Sequence, residues 1–300
     1  MGAPDRRYAT GSGTTRPVGA APMMRVRTAS DPAPGRAENE DLVFRFGPLV
    51  GVLDGATVPE GFDTGCVHGP AWFVRHLAAR IGLAVAARPA ATLMSSLAAA
   101  ILAVRADHGG ACDLDHAGTP SSTVCLLREG GDRVDYLVLC DSPLVLDTDV
   151  GVDVVTDDRL EAAVADLRRT ATALSDGEVD PSTRFRRAVT GQRARMNRSH
   201  GYWVAAGDPD AAYHAVTGSV PLRGPGALRR AVLLSDGASC AVEQFGLFDW
   251  AGLVEVVGVE GPEGLIDRVR AAERAHPDRL RRHKRTDDAS VALCEFGPST

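Results

Sequence analysis

The chain has 300 residues, of which 44% are hydrophobic and 24% charged, and its formal net charge is −6 at pH 7. This apolar content is ample for a packed core, and no break in composition divides the chain into two domains. The acidic balance argues against a nucleic-acid-binding protein, because such proteins neutralise phosphates with a basic surface. The composition favours a soluble enzyme.

The six cysteines, at positions 66, 112, 125, 140, 240 and 294, are far apart and form no Cys-x-x-Cys pair. Their spacing therefore signals neither a zinc site nor a disulfide framework, and the chain is expected to be cytoplasmic and reduced. The longest apolar stretches, around 81–87 and 97–104, are too short to span a bilayer. The sequence predicts neither a membrane nor a nucleic acid as partner.

Residues 1–22 are mostly Gly, Pro, Ser, Thr and Arg, and they are predicted to form a flexible tail because they offer almost nothing to bury. Alternating or continuous apolar patterns predict strands at 23–30, 42–46, 49–53, 121–128, 134–142, 143–147, 151–156, 231–236 and 290–296. Helical patterns occupy 70–87, 90–107, 157–200, 250–257 and 262–275, with a short helix plus loop at 209–220. This order predicts a two-layer sheet core with helices outside.

Acidic residues lie at the ends of several predicted strands. Leu49–Leu53 ends in Asp54-Gly55, 231–234 is followed by Ser235-Asp236-Gly237, and Asp287-Asp288 precede the last strand. A further pair, Glu40-Asp41, lies one strand upstream of Asp54. Each Asp-Gly taken singly is more typical of a turn. Together, carboxylates on separate strand ends indicate a site for hard divalent cations, because a buried ionised carboxylate needs a positive partner.

These residues, in this order, resemble the metal-dependent protein phosphatase 2C (PPM) family of the bacterial type. The matching segments are Arg36-x-x-x-Glu40-Asp41, Val52-Leu53-Asp54-Gly55, Ser121-Ser122-Thr123, Cys140-Asp141-Ser142, Leu234-Ser235-Asp236-Gly237 and Asp287-Asp288-Ala289-Ser290. The resemblance implies an α+β fold in which two packed antiparallel β-sheets are flanked by helices, an α-β-β-α sandwich. It also implies that residues 23–297 form a single phosphatase 2C-like catalytic domain.

The resemblance implies a site for two Mn²⁺ or Mg²⁺ ions. The implied metal-binding residues are Glu40, Asp41, Asp54, Gly55, Asp236 and Asp287. Asp54 would bridge both ions, Gly55 would offer its carbonyl, and Glu40 and Asp41 would hold metal-bound waters. The implied activity is that of a protein serine/threonine phosphatase, with a water that bridges the ions as nucleophile. Arg36 would bind the phosphate of a phosphorylated protein or of a small phosphate ester, since its planar fork suits two oxygens.

The chain departs from the family pattern at several positions. Ala56 stands where many members have a histidine thought to protonate the leaving group, so a water or another residue such as His68 would have to act. No carboxylate aligns near Gly118 for a third ion, and Asp115 is the nearest candidate. Two further replacements, Asp288 for asparagine and Cys140 for glycine, are interpreted as an added negative charge and as packing.

Two other classes of function are considered, of which the first is excluded by its missing nucleophile. A haloacid-dehalogenase-like phosphatase is suggested by Val52-Leu53-Asp54-Gly55, but position 52 is valine where that chemistry needs a nucleophilic aspartate. A catalytically weak or silent phosphatase-like binding module would be favoured by loss of a metal aspartate. The chain keeps Asp54, Asp236 and Asp287.

Overall fold

The computed structural model describes residues 24–57, 61–173, 181–276 and 286–297. The predicted flexible tail at 1–22 therefore lies outside the described residues. Within these four ranges, none of the helices combines the length and the apolar character that crossing a membrane requires.

Strands and helices alternate in blocks along the chain. The strands are β1 (Arg25–Asp31), β2 (Asp41–Phe46), β3 (Leu49–Gly55), β4 (Ser122–Gly130), β5 (Arg133–Leu139), β6 (Leu144–Thr148), β7 (Gly151–Val155), β8 (Val216–Pro221), β9 (Leu228–Leu234) and β10 (Ala289–Glu295). The α-helices are α1 (Pro70–Ala87), α2 (Leu93–Asp107), α3 (Arg159–Ala173), α4 (Pro181–Arg193), α5 (Asp236–Glu243) and α6 (Trp250–Ala275). A 3₁₀ helix spans Pro209–His214.

The strands form two five-stranded sheets, with the orders β1-β10-β9-β6-β7 and β2-β3-β4-β5-β8. Every neighbouring pair is antiparallel. Val50 and Val52 of β3 pack in one buried cluster with Ala231 and Leu233 of β9. Because side chains alternate along a strand, this cluster is the core between the two sheets. The predicted sandwich of two antiparallel sheets is confirmed.

Helices cover the outer face of each sheet. Leu49 and Leu53 of β3 pack with Phe73 of α1 in one fully buried cluster that also includes α2. On the other sheet, Val232 and Leu234 of β9 pack against α5 and α6. Both faces of β3 and β9 are therefore buried, which explains why these strands are continuous apolar runs and not alternating ones.

The sequence prediction was wrong at two elements. The segment after Pro209 was predicted as a short helix plus loop, but residues 216–221 form β8, an edge strand paired with β5. Asp236 was predicted to end a strand, but β9 ends at Leu234 and Asp236 begins α5. The predicted interruption near 258–261 is a kink in α6, where Gly261 has φ 85° and precedes Pro262. The helices predicted within 157–200 are present on both sides of 174–180, which lie outside the described residues.

Candidate metal centre

The two sheets bring carboxylates together at one end of the sandwich. In the antiparallel register of β2 and β3, Asp41 lies directly opposite Asp54. The backbone N–H of Asp236, which is 182 residues further along the chain, donates a hydrogen bond of 3.3 Å to Oδ2 of Asp54. This bond connects the end of β3 in one sheet with the start of α5, which follows β9 in the other. Asp54 and Asp236 are thus neighbours in the fold.

Asp41 is a buried member of this group. It is 5% exposed, and burial raises the pKa of its carboxyl well above the ordinary value. The negative charges of Asp54 and Asp288 raise this pKa further, and hydrogen bonds from the Ser235 and Ser290 hydroxyls oppose the shift. In the part of the chain that the structure describes, Oδ2 of Asp41 has no hydrogen-bond partner. A buried carboxyl among other carboxylates is what a bound cation would stabilise.

Asp288 holds the loop before β2 in place. Its Oδ1 accepts the backbone N–H of Ala33 at 2.7 Å, and its Oδ2 accepts that of Glu40 at 2.6 Å. An asparagine would offer only one oxygen for these two donors. The aspartate at this position therefore does more than add charge, because both of its oxygens fix the segment that contains Arg36 and Glu40.

A buried arginine of α6 supports the neighbouring Asp287. The Arg270 side chain is 8% exposed, and its Nη1 donates to the carbonyl oxygen of Asp287 at 2.9 Å and to Glu273. Its Nε donates to Oδ2 of Asp31 at 2.9 Å. Asp287 Oδ1 in turn accepts the N–H of Asp288 at 3.1 Å. Arg270 thus connects the end of β1 with the segment before β10, on which Asp287 and Asp288 lie.

The glycines that follow two of the acids are required by close packing. A Cβ on Gly55 would lie 2.5 Å from the carbonyl oxygen of Glu40, and a Cβ on Gly237 would lie 2.0 Å from that of Asp288. Both contacts are with backbone atoms, which cannot move aside cheaply. The Asp-Gly pattern therefore marks close approach of strand ends and not merely a turn.

Arg36 lies in the loop between β1 and β2, with a side chain that is 42% exposed. Its Nη1 is 3.6 Å from Oε2 of Glu40, and the same oxygen accepts a hydrogen bond from Thr57. Glu40 therefore connects Arg36 to the segment just after Asp54 and Gly55. The guanidinium remains accessible at the edge of the carboxylate group.

Arg193, the last residue of α4, is 5% exposed and was not among the predicted site residues. Its Nη2 donates to the carbonyl of Ala56 at 3.1 Å, and its Nη1 donates to that of Thr119 at 3.1 Å. Burial lowers the pKa of its guanidinium, and the charge of Glu40 opposes this shift. Arg193 joins the segments after β3 and before β4. Arg193 could not be predicted from the sequence, because its partners are backbone carbonyls, which every residue has.

The remaining matched segments support the strands. Thr123 Oγ1 and Ser142 Oγ are 2.5 Å apart in the buried interior. Cys140 has φ 70°, in the left-handed region that favours glycine, and its side chain packs with Tyr202 and Val204. Asp115, the acid nearest to the position of a third ion, has a side chain that is 85% exposed and lies 3.5 Å from Arg105.

The donor set of the carboxylate group consists of oxygen atoms only, which fits a hard divalent ion. The orphaned, buried Oδ2 of Asp41 and the close approach of the backbone at Gly55 and Gly237 fit a divalent ion held by carboxylates at this end of the sandwich.

Comparison with known proteins identifies the fold. No protein-family model matches the chain, and no curated protein sequence matches it. Among solved structures, the PPM Ser-Thr phosphatase MsPP from Mycobacterium smegmatis, in complex with cacodylate, aligns over 93% of this chain and 100% of its own, with 20% identity and a TM-score of 0.54. The serine/threonine phosphatase PstP/Ppp from Mycobacterium tuberculosis aligns over 91% and 98%, with 18% identity and a TM-score of 0.54.

A third match is the serine/threonine phosphatase Stp1 from Staphylococcus aureus, which covers 94% of this chain and 98% of its own with 13% identity and a TM-score of 0.54. The chain therefore has the fold of the bacterial PPM phosphatases, and the resemblance predicted from the short segments is confirmed at the level of fold. At these identities the comparison establishes the fold alone.

Proposed function

We propose that the chain is a metal-dependent phosphomonoester hydrolase, and that its substrates are proteins phosphorylated on serine or threonine. One observation carries this proposal: Asp41, Asp54, Asp236 and Asp288, from three distant segments, converge at one end of the sandwich, where Asp41 is buried with an unpartnered oxygen among the described residues. Crowding of like charges is costly without a cation.

The proposed ligands are those that the sequence singled out. Asp54, Asp236 and Asp287 would hold divalent ions directly together with the carbonyl of Gly55, and Glu40 and Asp41 would hold waters around them. When bound, two divalent ions supply an activated water and neutralise phosphoryl oxygens. One matched structure, the catalytic domain of PstP, was solved in complex with two manganese ions. We therefore propose Mn²⁺ or Mg²⁺ for this chain as well.

The chain's own residues then have three tasks. Arg36 would bind two oxygens of the substrate phosphate, because its guanidinium lies at the accessible edge of the carboxylate group and beside Glu40. Asp288 would keep the Arg36–Glu40 loop in place through two backbone N–H groups. Arg193 would keep the segment after Gly55 in place through the Ala56 carbonyl.

The experiment is a titration with Mn²⁺ followed by assays on p-nitrophenyl phosphate, phosphoserine and phosphothreonine peptides, and a panel of small phosphate esters. We expect Mn²⁺-dependent turnover, with the peptides preferred to the small esters. Asp236→Asn should abolish it, whereas Asp153→Asn, which changes an exposed aspartate of β7, should not. A preference for a small ester would show that the substrates are small phosphate esters and not phosphorylated proteins. No Mn²⁺ binding by calorimetry at millimolar metal would leave only a phosphatase-like binding module.

A further inference from the structure

A second cluster of potential metal ligands lies in the loops that flank α1 and α2. Cys66 and His68 belong to the segment between β3 and α1, and Cys112 lies in the segment between α2 and β4. Their ligand atoms all lie within 4.8 Å of one another. The Sγ atoms of Cys66 and Cys112 are each 3.5 Å from Nδ1 of the same histidine, His68.

The two sulfur-to-nitrogen distances match those between ligand atoms of a tetrahedral zinc site. With a Zn–S bond of about 2.3 Å and a Zn–N bond of about 2.0–2.1 Å, a tetrahedral angle places sulfur and nitrogen about 3.6 Å apart. The backbone N–H of His68 also donates to Sγ of Cys66 at 3.3 Å, which supports a thiolate. Thiolate and imidazole ligands select zinc over manganese or magnesium, which prefer oxygen.

His108, the residue that caps α2, lies beside these three side chains and is the candidate for a fourth ligand. It is 5% exposed, and its ring centroid is 5.0 Å from that of His68. Its Nδ1 lies 2.8 Å from the carbonyl oxygen of Val104, so Nδ1 carries a proton and donates it. Nε2, which then keeps its lone pair, is buried without a hydrogen-bond partner among the described residues. Metal-binding histidines are oriented in this way, with the other ring nitrogen bonded to a carbonyl.

A divalent ion bound here would replace the thiol protons of Cys66 and Cys112.

We propose that Cys66, His68, His108 and Cys112 bind a zinc-class divalent ion, separate from the carboxylate group and structural in role. The ligands form two short pairs, Cys66-Val67-His68 and a histidine and cysteine four residues apart at 108 and 112. The ion fastens the segment after β3 to the segment before β4, which the backbone already joins through the hydrogen bond from Asp113 N–H to the Gly65 carbonyl, 2.8 Å long. A small surface pocket lined in part by His108 and Cys112 gives an ion access.

The first test measures zinc in the protein purified under reducing conditions, with Asp236→Asn as background so that the carboxylate group contributes less metal. We expect about one zinc per chain, and loss of that zinc in Cys66→Ser and in Cys112→Ser. Cys240→Ser is the matched control, because Cys240 is a free and half-buried cysteine of α5 that lies outside the cluster. Equal zinc in all three cysteine variants would overturn the proposal.

Cobalt binding distinguishes sulfur ligands from oxygen ligands by absorption spectroscopy. Co²⁺ added to the metal-free protein should give thiolate-to-cobalt charge-transfer absorption, which an all-oxygen site cannot produce. His108→Ala should weaken cobalt binding at least ~10-fold while leaving the thiolate absorption at saturation. Unchanged affinity would remove His108 from the ligand set, and absence of the thiolate absorption in the wild-type protein would overturn the site itself.

A test on the wild-type chain avoids variants that fail to fold. Alkylation followed by mass spectrometry should modify Cys66 and Cys112 in the metal-free protein and spare them when zinc is present. The buried Cys125 and Cys294 serve as internal references that should stay unmodified in both states. Equal modification with and without zinc, or a disulfide between Cys66 and Cys112 under reducing conditions, would contradict a bound ion.

Discussion

Two groups of polar side chains near one end of the same sandwich differ in almost every physical respect. The carboxylate group, with Asp41 and Asp54 at its centre, consists of oxygen donors on the ends of buried strands. The thiol–imidazole cluster, with Cys66 and Cys112, consists of sulfur and nitrogen donors in half-buried loops. Hard oxygen donors suit manganese and magnesium, whereas soft donors suit zinc. On the two proposals above, ligand chemistry would direct each kind of metal to its own group.

The two groups are also supported in different ways. Buried side chains, among them Arg270 and Asp288, hold the carboxylate group by bonding to backbone atoms of its loops. The loops of the thiol–imidazole cluster are joined mainly by backbone hydrogen bonds and small polar side chains, as at Gly65 and Thr64. Substitutions that disturb the supports of the first group should therefore lower the stability of the fold more than loss of the second group does.

The largest effect is expected from removing the buried arginine under the carboxylate group. Arg270→Met would leave the carboxylate of Glu273, whose side chain is 7% exposed, without its partner. Loss of one member of a buried ion pair costs about 3–5 kcal/mol of unfolding free energy. The measurement is chemical denaturation, with Arg268→Met as control, because Arg268 lies on the same helix and its ion pair with Glu260 is exposed. Equal stability of the two variants would show that Arg270 does not support this region.

A smaller loss should follow from displacing the carboxylates without removing one. Gly237→Ala places a methyl group 2.0 Å from the carbonyl oxygen of Asp288, so the start of α5 and the loop before β10 must separate. Misplacement of reacting groups by about 1 Å can cost about 100-fold in rate, and we expect a loss of that order in kcat/KM with Mn²⁺. Gly130→Ala, where nothing lies within 4 Å, is the control. Full activity of Gly237→Ala would contradict the proposed centre.

The fold could be predicted because most strands of both sheets are clear apolar runs in the sequence. The hairpins of β2 with β3 and of β4 with β5 follow from apolar runs separated by glycine-containing turns. Strand β8 was missed because it is a short edge strand beginning just after a 3₁₀ helix, and its position depends on Tyr136 packing against Gly218 across the sheet. Helix α5 was missed because Ser235-Asp236-Gly237 has the composition of a turn.

In the candidate sites too, residues with a local sequence signal could be predicted, whereas residues defined by contacts distant in the chain could not. Asp54 and Asp236 could be selected because an acid at the end of an apolar strand is anomalous in the sequence itself. Arg193 could not, because its partners are carbonyls of Ala56 and Thr119, and every residue has a carbonyl. The thiol–imidazole cluster was missed because 44 residues separate Cys112 from His68, and only the two short pairs could have indicated it.

Removing zinc should change the thiol–imidazole cluster and leave the carboxylate group unchanged. An ion present at 100 times its dissociation constant stabilises the folded state by about 2.7 kcal/mol. For a domain of this size each kcal/mol corresponds to roughly 2–4 °C, so we expect the metal-free protein to unfold about 5–10 °C lower. The Mn²⁺ affinity measured by calorimetry should stay the same. A fall in Mn²⁺ affinity equal to that caused by Asp236→Asn would mean that the two groups are one site.

The smallest effect is expected at the ion pair between Arg80 of α1 and Asp107 of α2, next to His108. Arg80 donates to both oxygens of Asp107, and Nδ1 of His76 lies 3.5 Å from Asp107 Oδ2. The hydrogen bonds from Arg80 lower the pKa of Asp107 below its ordinary value. A carboxyl with a lower pKa in the folded than in the unfolded protein adds stability above the unfolded value, near 3.9, and this stability is lost as the pH falls through the folded value.

Asp107→Asn should therefore unfold at a slightly lower temperature than the wild type at pH 7, and the difference should shrink as the pH falls below about 4. Thermal unfolding between pH 2 and 7 measures this, with Asp153→Asn as the exposed control. Arg80 is exposed to solvent, so salt should also reduce the difference in unfolding temperature at pH 7. A difference that is independent of both pH and salt would assign the effect to lost packing between α1 and α2 and not to charge.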